Sequence, residues 1–282
     1  MTSAWDAWWS EHHPPQFPTD SYLELEESMP KDEPLVYVPP TPDIPPLPIL
    51  HGLSLTIHER LKYMETQAAV FKVTLRLHGQ QKWAILKVYH SDDPQNTEGG
   101  PLLPGREIFN RESQAYANFI QYGLCRDGVV PHCYGIVGFP GYDLIQLETT
   151  AEDEDMFGPF RHDNNPPIAL LLEYMDGMKC LKLLDLTENL GNEILKQAVR
   201  IHEAHVLHDD LEPRNILVGA DGRVVIIDFG SSASYPDPIA TPPFFRAEYR
   251  GLWRKLFIRM LPDKERILRG EEPWDIISVH AL

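Results

Sequence analysis

The sequence predicts an α+β fold on three observations. Apolar residues alternate along residues 53–89, helical spacing replaces alternation in later stretches, and two β-branched-rich runs close on an Asp-Gly turn at Asp221-Gly222. With 282 residues and 43% hydrophobic content, the chain can bury one sizeable core or two small ones.

Residues 1–50 differ in kind from the remainder. They hold eleven prolines, plentiful acids such as Glu24, Glu26, Glu27, Asp32 and Glu33, and a single Lys or Arg, Lys31. Proline at that density rules out a regular helix or a central strand, so an extended or disordered acidic arm is expected. Its aromatic cluster, Trp5, Trp8 and Trp9, is either a docking element or part of a mobile tail.

From about residue 51 the elements follow in order. Leu53, Leu55 and Ile57 alternate; Phe71, Val73, Leu75 and Leu77 oppose Val70, Lys72 and Thr74; and Trp83 to Tyr89 forms a third strand after a His78-Gly79 turn. A helix is expected from about Arg106, with Phe109, Glu112, Ala115, Tyr116 and Phe119 at helical spacing. Two strands follow, near Tyr134–Phe139 and Ile168–Met175, interrupted by an acidic insert over residues 148–165 whose core alone is expected to be a solvated loop. Its core, Glu152 to Asp155, lacks the glycine and spacing of an EF-hand. After Asp176-Gly177 comes a helix from Leu190 to Ala204. The last segment has an amphipathic helix with Phe245, Tyr249, Leu252 and Leu256 on one side and Arg246, Arg250, Arg254 and Lys255 on the other. That basic side suits solvent, an acidic partner or the chain's own acidic arm.

Composition narrows the function classes. A formal net charge of −17 disfavours sequence-independent binding to nucleic acid or an anionic membrane, so neither is expected as a partner. Cys125, Cys133 and Cys180 are odd in number and form no C-x-x-C pair, which points away from a disulfide framework and toward a reducing, intracellular compartment, cytoplasmic or nuclear. No secretory leader is legible at the start, and no run approaches the roughly 20 apolar residues of a membrane span. The sequence specifies no oligomeric state.

The most informative stretch is His208-Asp209-Asp210-Leu211-Glu212-Pro213-Arg214-Asn215, followed by Asp228-Phe229-Gly230. Ile216-Leu217-Val218 and Val224-Val225-Ile226-Ile227 flank the turn between them, and antiparallel pairing makes Asn215 and Asp228 neighbours at the open end of a hairpin. Asp210, five positions before Asn215, can project into the same space. One carboxylate to orient a hydroxyl, with an amide and a second carboxylate for Mg²⁺, is the set that phosphoryl transfer needs.

H-x-D-L-x-x-x-N followed by D-F-G resembles the catalytic and metal-binding loops of the protein-kinase-like superfamily. The resemblance covers roughly residues 53–232. It implies a bilobal fold with a five-stranded antiparallel sheet and one helix over residues 51–176, then a shortened, mainly helical lobe over 177–282. It also implies ATP and Mg²⁺ as cofactors. By the same resemblance Asp210 is the catalytic aspartate, and Asn215 and Asp228 hold the metal. Lys87, ending the A-I-L-K run, contacts phosphate and is held by Glu112 in F-x-x-E-x-x-A-Y, with Lys82, Lys72 and Glu107 as weaker candidates. Leu172 is the gatekeeper, while the Glu173 carbonyl and Met175 amide meet adenine. Glu212 stands where a lysine often follows the catalytic aspartate, and Arg214 is a candidate to screen the transferring group.

Three departures from the family pattern stand out. The hairpin from Arg60 to Val70 contains no glycine, Asp209 replaces the arginine before the catalytic aspartate, and no A-P-E follows D-F-G. The short second lobe is similar to compact atypical kinases such as the RIO type, and to aminoglycoside and choline phosphotransferases. The expected activity is ATP- and Mg²⁺-dependent phosphorylation of an unnamed protein acceptor on Ser or Thr. A pseudokinase that binds nucleotide or partners, and a small-molecule kinase, are the alternatives.

Overall fold

The computed structural model describes residues 40–41, 43–64, 67–77, 80–91, 103–139 and 156–274. The arm up to residue 39 with its tryptophans, the His78-Gly79 turn and the acidic core Glu152–Asp155 lie outside the described residues. The architecture is α+β, with a mixed sheet and few helices, consistent with a kinase-like fold.

Six strands make the main sheet: β1 (Ile49–Leu50), β2 (Leu55–Met64), β3 (Ala68–Leu77), β4 (Gln80–Tyr89), β5 (Cys133–Gly138) and β6 (Ile168–Glu173). Their spatial order is β1-β5-β6-β4-β3-β2. Neighbours among β2 to β6 pair antiparallel, but the sheet has six strands where five were expected. β1 adds a sixth strand, parallel to β5. It was missed because it is two residues long and directly follows Pro48, inside the stretch assigned to the arm. Pro48 still contributes, since its carbonyl accepts from the Ile136 amide at 2.9 Å. Gly135 permits this approach. Its φ is +141°, and a Cβ there would collide with the Pro48 carbonyl oxygen.

Alternation sends Phe71, Val73 and Leu75 of β3 and Ala84, Leu86 and Val88 of β4 to one face, where they form an apolar layer. Part of the acidic insert, beyond its core, covers this layer. Met156, Phe157 and Phe160 are buried in it, and the Phe71 and Phe157 ring centroids lie 4.8 Å apart. The acids nearby drew attention away from an apolar triplet that a short 3₁₀ turn (Gly158–His162) turns inward.

Helix α1 (Gly105–Gln121) packs under the opposite face of the sheet, burying Ile108, Phe109, Glu112, Tyr116 and Phe119. That layer is continuous with the core beneath it, which includes Ile194, Leu195, Ala198 and Ile201 of α2 (Glu188–Glu203). Thr187 starts α2 by accepting the Leu190 amide on its hydroxyl at 3.2 Å. The expected hairpin forms from β9 (Ile216–Val218) and β10 (Val224–Ile226), with Ile216 opposite Ile226. β7 (Lys179–Cys180) joins its edge. β8 (Val206–Leu207) pairs with β11 (Ala233–Ser234). The final helical region runs through α3 (Pro242–Trp253), a π-helical stretch (Arg254–Met260) and α4 (Leu261–Leu268).

Candidate active site

The hairpin geometry sets the floor of the site. The Ile227 amide donates to the Asn215 carbonyl at 2.9 Å, which closes the ladder and leaves both flanking side chains at its open end. Asp209 and Asp228 have φ of +60° and +66°, a left-handed conformation that costs a non-glycine residue free energy. Such strain persists only where surroundings enforce it, and here it borders the motif carboxylates. Phe229 supplies part of that enforcement. Its buried ring touches Phe119 and Tyr116 of α1 and His208, with centroids 4.6, 5.8 and 4.7 Å away. Gly230 lies so close to Ile108 that a Cβ would overlap its side chain.

Above this floor, Lys87 projects from β4 and makes two ion pairs. Nζ lies 2.6 Å from Glu112 Oε2 and 2.7 Å from Asp228 Oδ1. Tyr89, two residues on and on the same strand face, donates its hydroxyl to Glu112 Oε2 at 2.7 Å. Burial opposes the charge on Lys87, but Glu112 and Asp228 outweigh it and hold the ammonium above the ordinary lysine value. Lys87, acting against burial, holds the Asp228 carboxyl well below the usual carboxylate range. The Lys87 and Glu112 side chains are 6% and 1% exposed. A pair so buried is costly to break, because the surviving charge is stranded.

The rival assignments go elsewhere. Lys72 Nζ sits over the rings of Trp83 and Tyr174, 4.6 and 4.4 Å from their centroids. Lys82 is exposed. Glu107 pairs with Arg111 at 3.0 Å.

Asp210 is held from two sides. Arg214 Nη2 reaches its carboxylate oxygens at 2.7 and 2.9 Å, and the Asn215 amide nitrogen donates to Oδ2 at 2.9 Å. With the nitrogen of Asn215 turned to Asp210, the carbonyl oxygen remains as the atom a cation would take. Among the described residues no group of three His, Cys, Asp or Glu side chains could cage a metal. The donor set of Asn215 and Asp228 nonetheless fits Mg²⁺, which takes one or two carboxylates and completes its shell with phosphates and water.

These residues surround a cleft of about 530 Å³, within the range of small-molecule sites. Lys87, Glu112, Glu173, Met175, Arg214, Asn215 and Asp228 line it, as does Leu172. Asp210 is not among the lining residues, and joins the site through Arg214 and Asn215. Glu173 also accepts the His132 amide on its side chain at 3.1 Å, which steadies the end of β6.

Three contributors escaped sequence reasoning. Glu248, the only acid on α3, lies beneath the loop with its side chain 10% exposed and accepts the amides of His208 and Asp209 at 3.2 and 2.6 Å, besides a His202 ring nitrogen at 2.7 Å. Burial raises its pKa, but the His202 and Asp209 contacts bring it below the ordinary value. A lone acid amid apolar and basic helix residues was the available signal. Lys255, placed on a basic face facing solvent or a partner, turns instead to Glu212 Oε1 at 2.6 Å and the Leu211 carbonyl at 2.8 Å. The acid partner was thus the chain's own loop. Lys62 of β2 approaches Asp228 Oδ2 at 3.5 Å.

Residues 145–250 match the protein kinase domain. The MAP kinase kinase MKK1/SSP32 of Saccharomyces cerevisiae is 32% identical over 97 residues, covering 30% of this chain and 19% of that protein. The mitogen-activated protein kinase kinase SIPKK of Nicotiana tabacum is 37% identical over 79 residues, 25% of this chain and 22% of its own length. An Aurora kinase of Dictyostelium discoideum is 31% identical over 90 residues, 29% of this chain and 23% of its own. The chain therefore carries a protein-kinase-like domain, and its aligned part spans about a fifth of each of these relatives. No helix among the described residues is long and apolar enough to cross a membrane.

Proposed function

We propose that this chain is an ATP- and Mg²⁺-dependent phosphotransferase that acts on Ser or Thr of a protein acceptor, with residues 51–176 and 177–282 serving as its two lobes. The observation that carries the reading is the Glu112–Lys87–Asp228 chain of ion pairs sharing one cleft with Asn215, to which Asp210 is tied through Asn215 and Arg214. In the proposed roles, Lys87 binds phosphate, Glu112 fixes Lys87, and Asp210 orients the acceptor hydroxyl and receives its proton. The Glu173 carbonyl and Met175 amide hold adenine, and Asn215 and Asp228 hold the metal. Mg²⁺, when bound, supplies positive charge that offsets the charge of the phosphates. Arg214 keeps Asp210 aimed and places a cation beside the transferring group. The acceptor is read as protein because residues 145–250 match the protein kinase domain and one relative is named a mitogen-activated protein kinase kinase.

Incubation with labelled ATP and a general protein acceptor tests this. Wild type should transfer label, and Asp210→Ala should lose transfer by at least about a hundredfold, the scale of a missing general base. Persistence of label in that variant would remove Asp210 from the chemistry.

One feature favours a second reading. Both oxygens of Asp228 face lysines, and the β2–β3 hairpin lacks glycines for close backbone approach to phosphate. A pseudokinase would bind nucleotide without transfer, so ATP binding by wild type with no labelled product selects it.

A further inference from the structure

We propose that Lys62 is a phosphate-binding residue, gripping the charged end of the nucleotide in place of the backbone amides of a glycine-rich turn. This deepens the proposed function and rests on it.

Strand geometry provides the first support. In a regular strand neighbouring side chains point to opposite faces, yet Leu61 and Lys62 both line the cleft. The β2–β3 register shifts between Arg60 and Lys62, and such an irregularity re-aims the residues beside it. Lys62 sits opposite Val70, another lining residue, so its stem lies against the cleft wall while its ammonium extends to Asp228.

Energetics provide the second. The Lys62 side chain is 50% exposed and its ion pair is 3.5 Å long. An exposed pair of that kind contributes little to stability, so holding the sheet together is a poor reason for the contact. The two ammonium groups on Asp228 are also unequal. Lys87 is buried and shared with Glu112, whereas Lys62 is long-reaching, exposed and bound at one point only among the contacts described. If a divalent cation and its triphosphate claim Asp228 Oδ2, Lys62 is the group that gives way. Its freed ammonium then stands among new anionic oxygens. A lysine can serve phosphate as a mobile point charge, with no need of the close backbone approach that glycine permits.

The test is equilibrium binding to the full chain with Mg²⁺ present, using ATP and adenosine as probes. Lys62→Gln should weaken ATP by about tenfold or more, as expected for a lost charge-assisted contact. Adenosine affinity should stay within about twofold, and Lys62→Arg should recover most of the ATP affinity. A matching melting temperature for the variants and wild type shows that all are folded. If wild type binds ATP and Lys62→Gln binds it equally well, the proposal is overturned while the kinase reading survives. Equal losses for ATP and adenosine also overturn it, since Lys62 then only shapes the cleft. If wild type binds neither probe, the kinase reading fails and takes this inference with it.

Discussion

Two lysines meet the carboxylate of Asp228 from different parts of the sheet. Lys87 stands on β4, an interior strand flanked by β3 and β6, and its side chain is 6% exposed. Lys62 stands on β2, the edge strand, and is 50% exposed. The interior lysine is fixed by ion pairs on both sides, to Glu112 from α1 and to Asp228, and Glu112 is held in turn by the Tyr89 hydroxyl. Position in the sheet thus separates a rigid charge, which defines the site, from an adjustable one, which can answer a ligand. Breaking the first should damage the fold, and breaking the second should leave it nearly untouched.

The largest expected effect follows removal of Glu112. Glu112→Ala leaves a buried ammonium and a buried phenol short of their partner, and should cost about 3–5 kcal/mol of unfolding free energy. Denaturant midpoints measure this. A cost below about 1 kcal/mol, the range of exposed pairs, would erase the distinction between the two lysines.

Glu248→Gln should have an intermediate effect, about 1–3 kcal/mol near pH 7, because the buried His202 ring and two loop amides lose a charged acceptor. Its pH dependence sharpens the assignment. The folded-state pKa of Glu248 is depressed, so its contribution is present above the unfolded value of about 4.3 and is lost as pH falls through the folded value. Unfolding free energy measured from pH 6 down to pH 3 should therefore decline less steeply in Glu248→Gln than in wild type. Parallel curves would show that His202 and the loop amides do not stabilise the carboxylate.

The smallest effect belongs to Lys62→Gln, whose stability should stay within about 1 kcal/mol of wild type by the same denaturant measurement. A larger loss would make Lys62 a structural residue like Lys87.

Local pattern accounts for what was legible beforehand. The β9–β10 hairpin was readable because β-branched runs and an Asp-Gly turn are short-range signals, and it fixed Asn215 against Asp228. Lys87 and Glu112 were readable from the letters around them, but their burial was not, since that depends on how α1 seats under the sheet. Glu248 lies 40 positions from the His208 amide it accepts, a pairing no local period could reveal. Met156, Phe157 and Phe160 were masked by neighbouring acids, although their apolar spacing was the better guide. Lys62 carries no local sign of a phosphate contact, because the familiar sign is a run of glycines and a cation can do related work by another route.

The account rests most heavily on the cleft being a nucleotide site, and thermal unfolding with and without Mg-ATP examines that directly. Ligand at a hundred times its Kd adds about 2.7 kcal/mol, so the melting temperature should rise by about 5–10 °C for a domain of this size. The rise should be smaller in Asp228→Asn. An unchanged melting temperature at millimolar Mg-ATP would contradict the account.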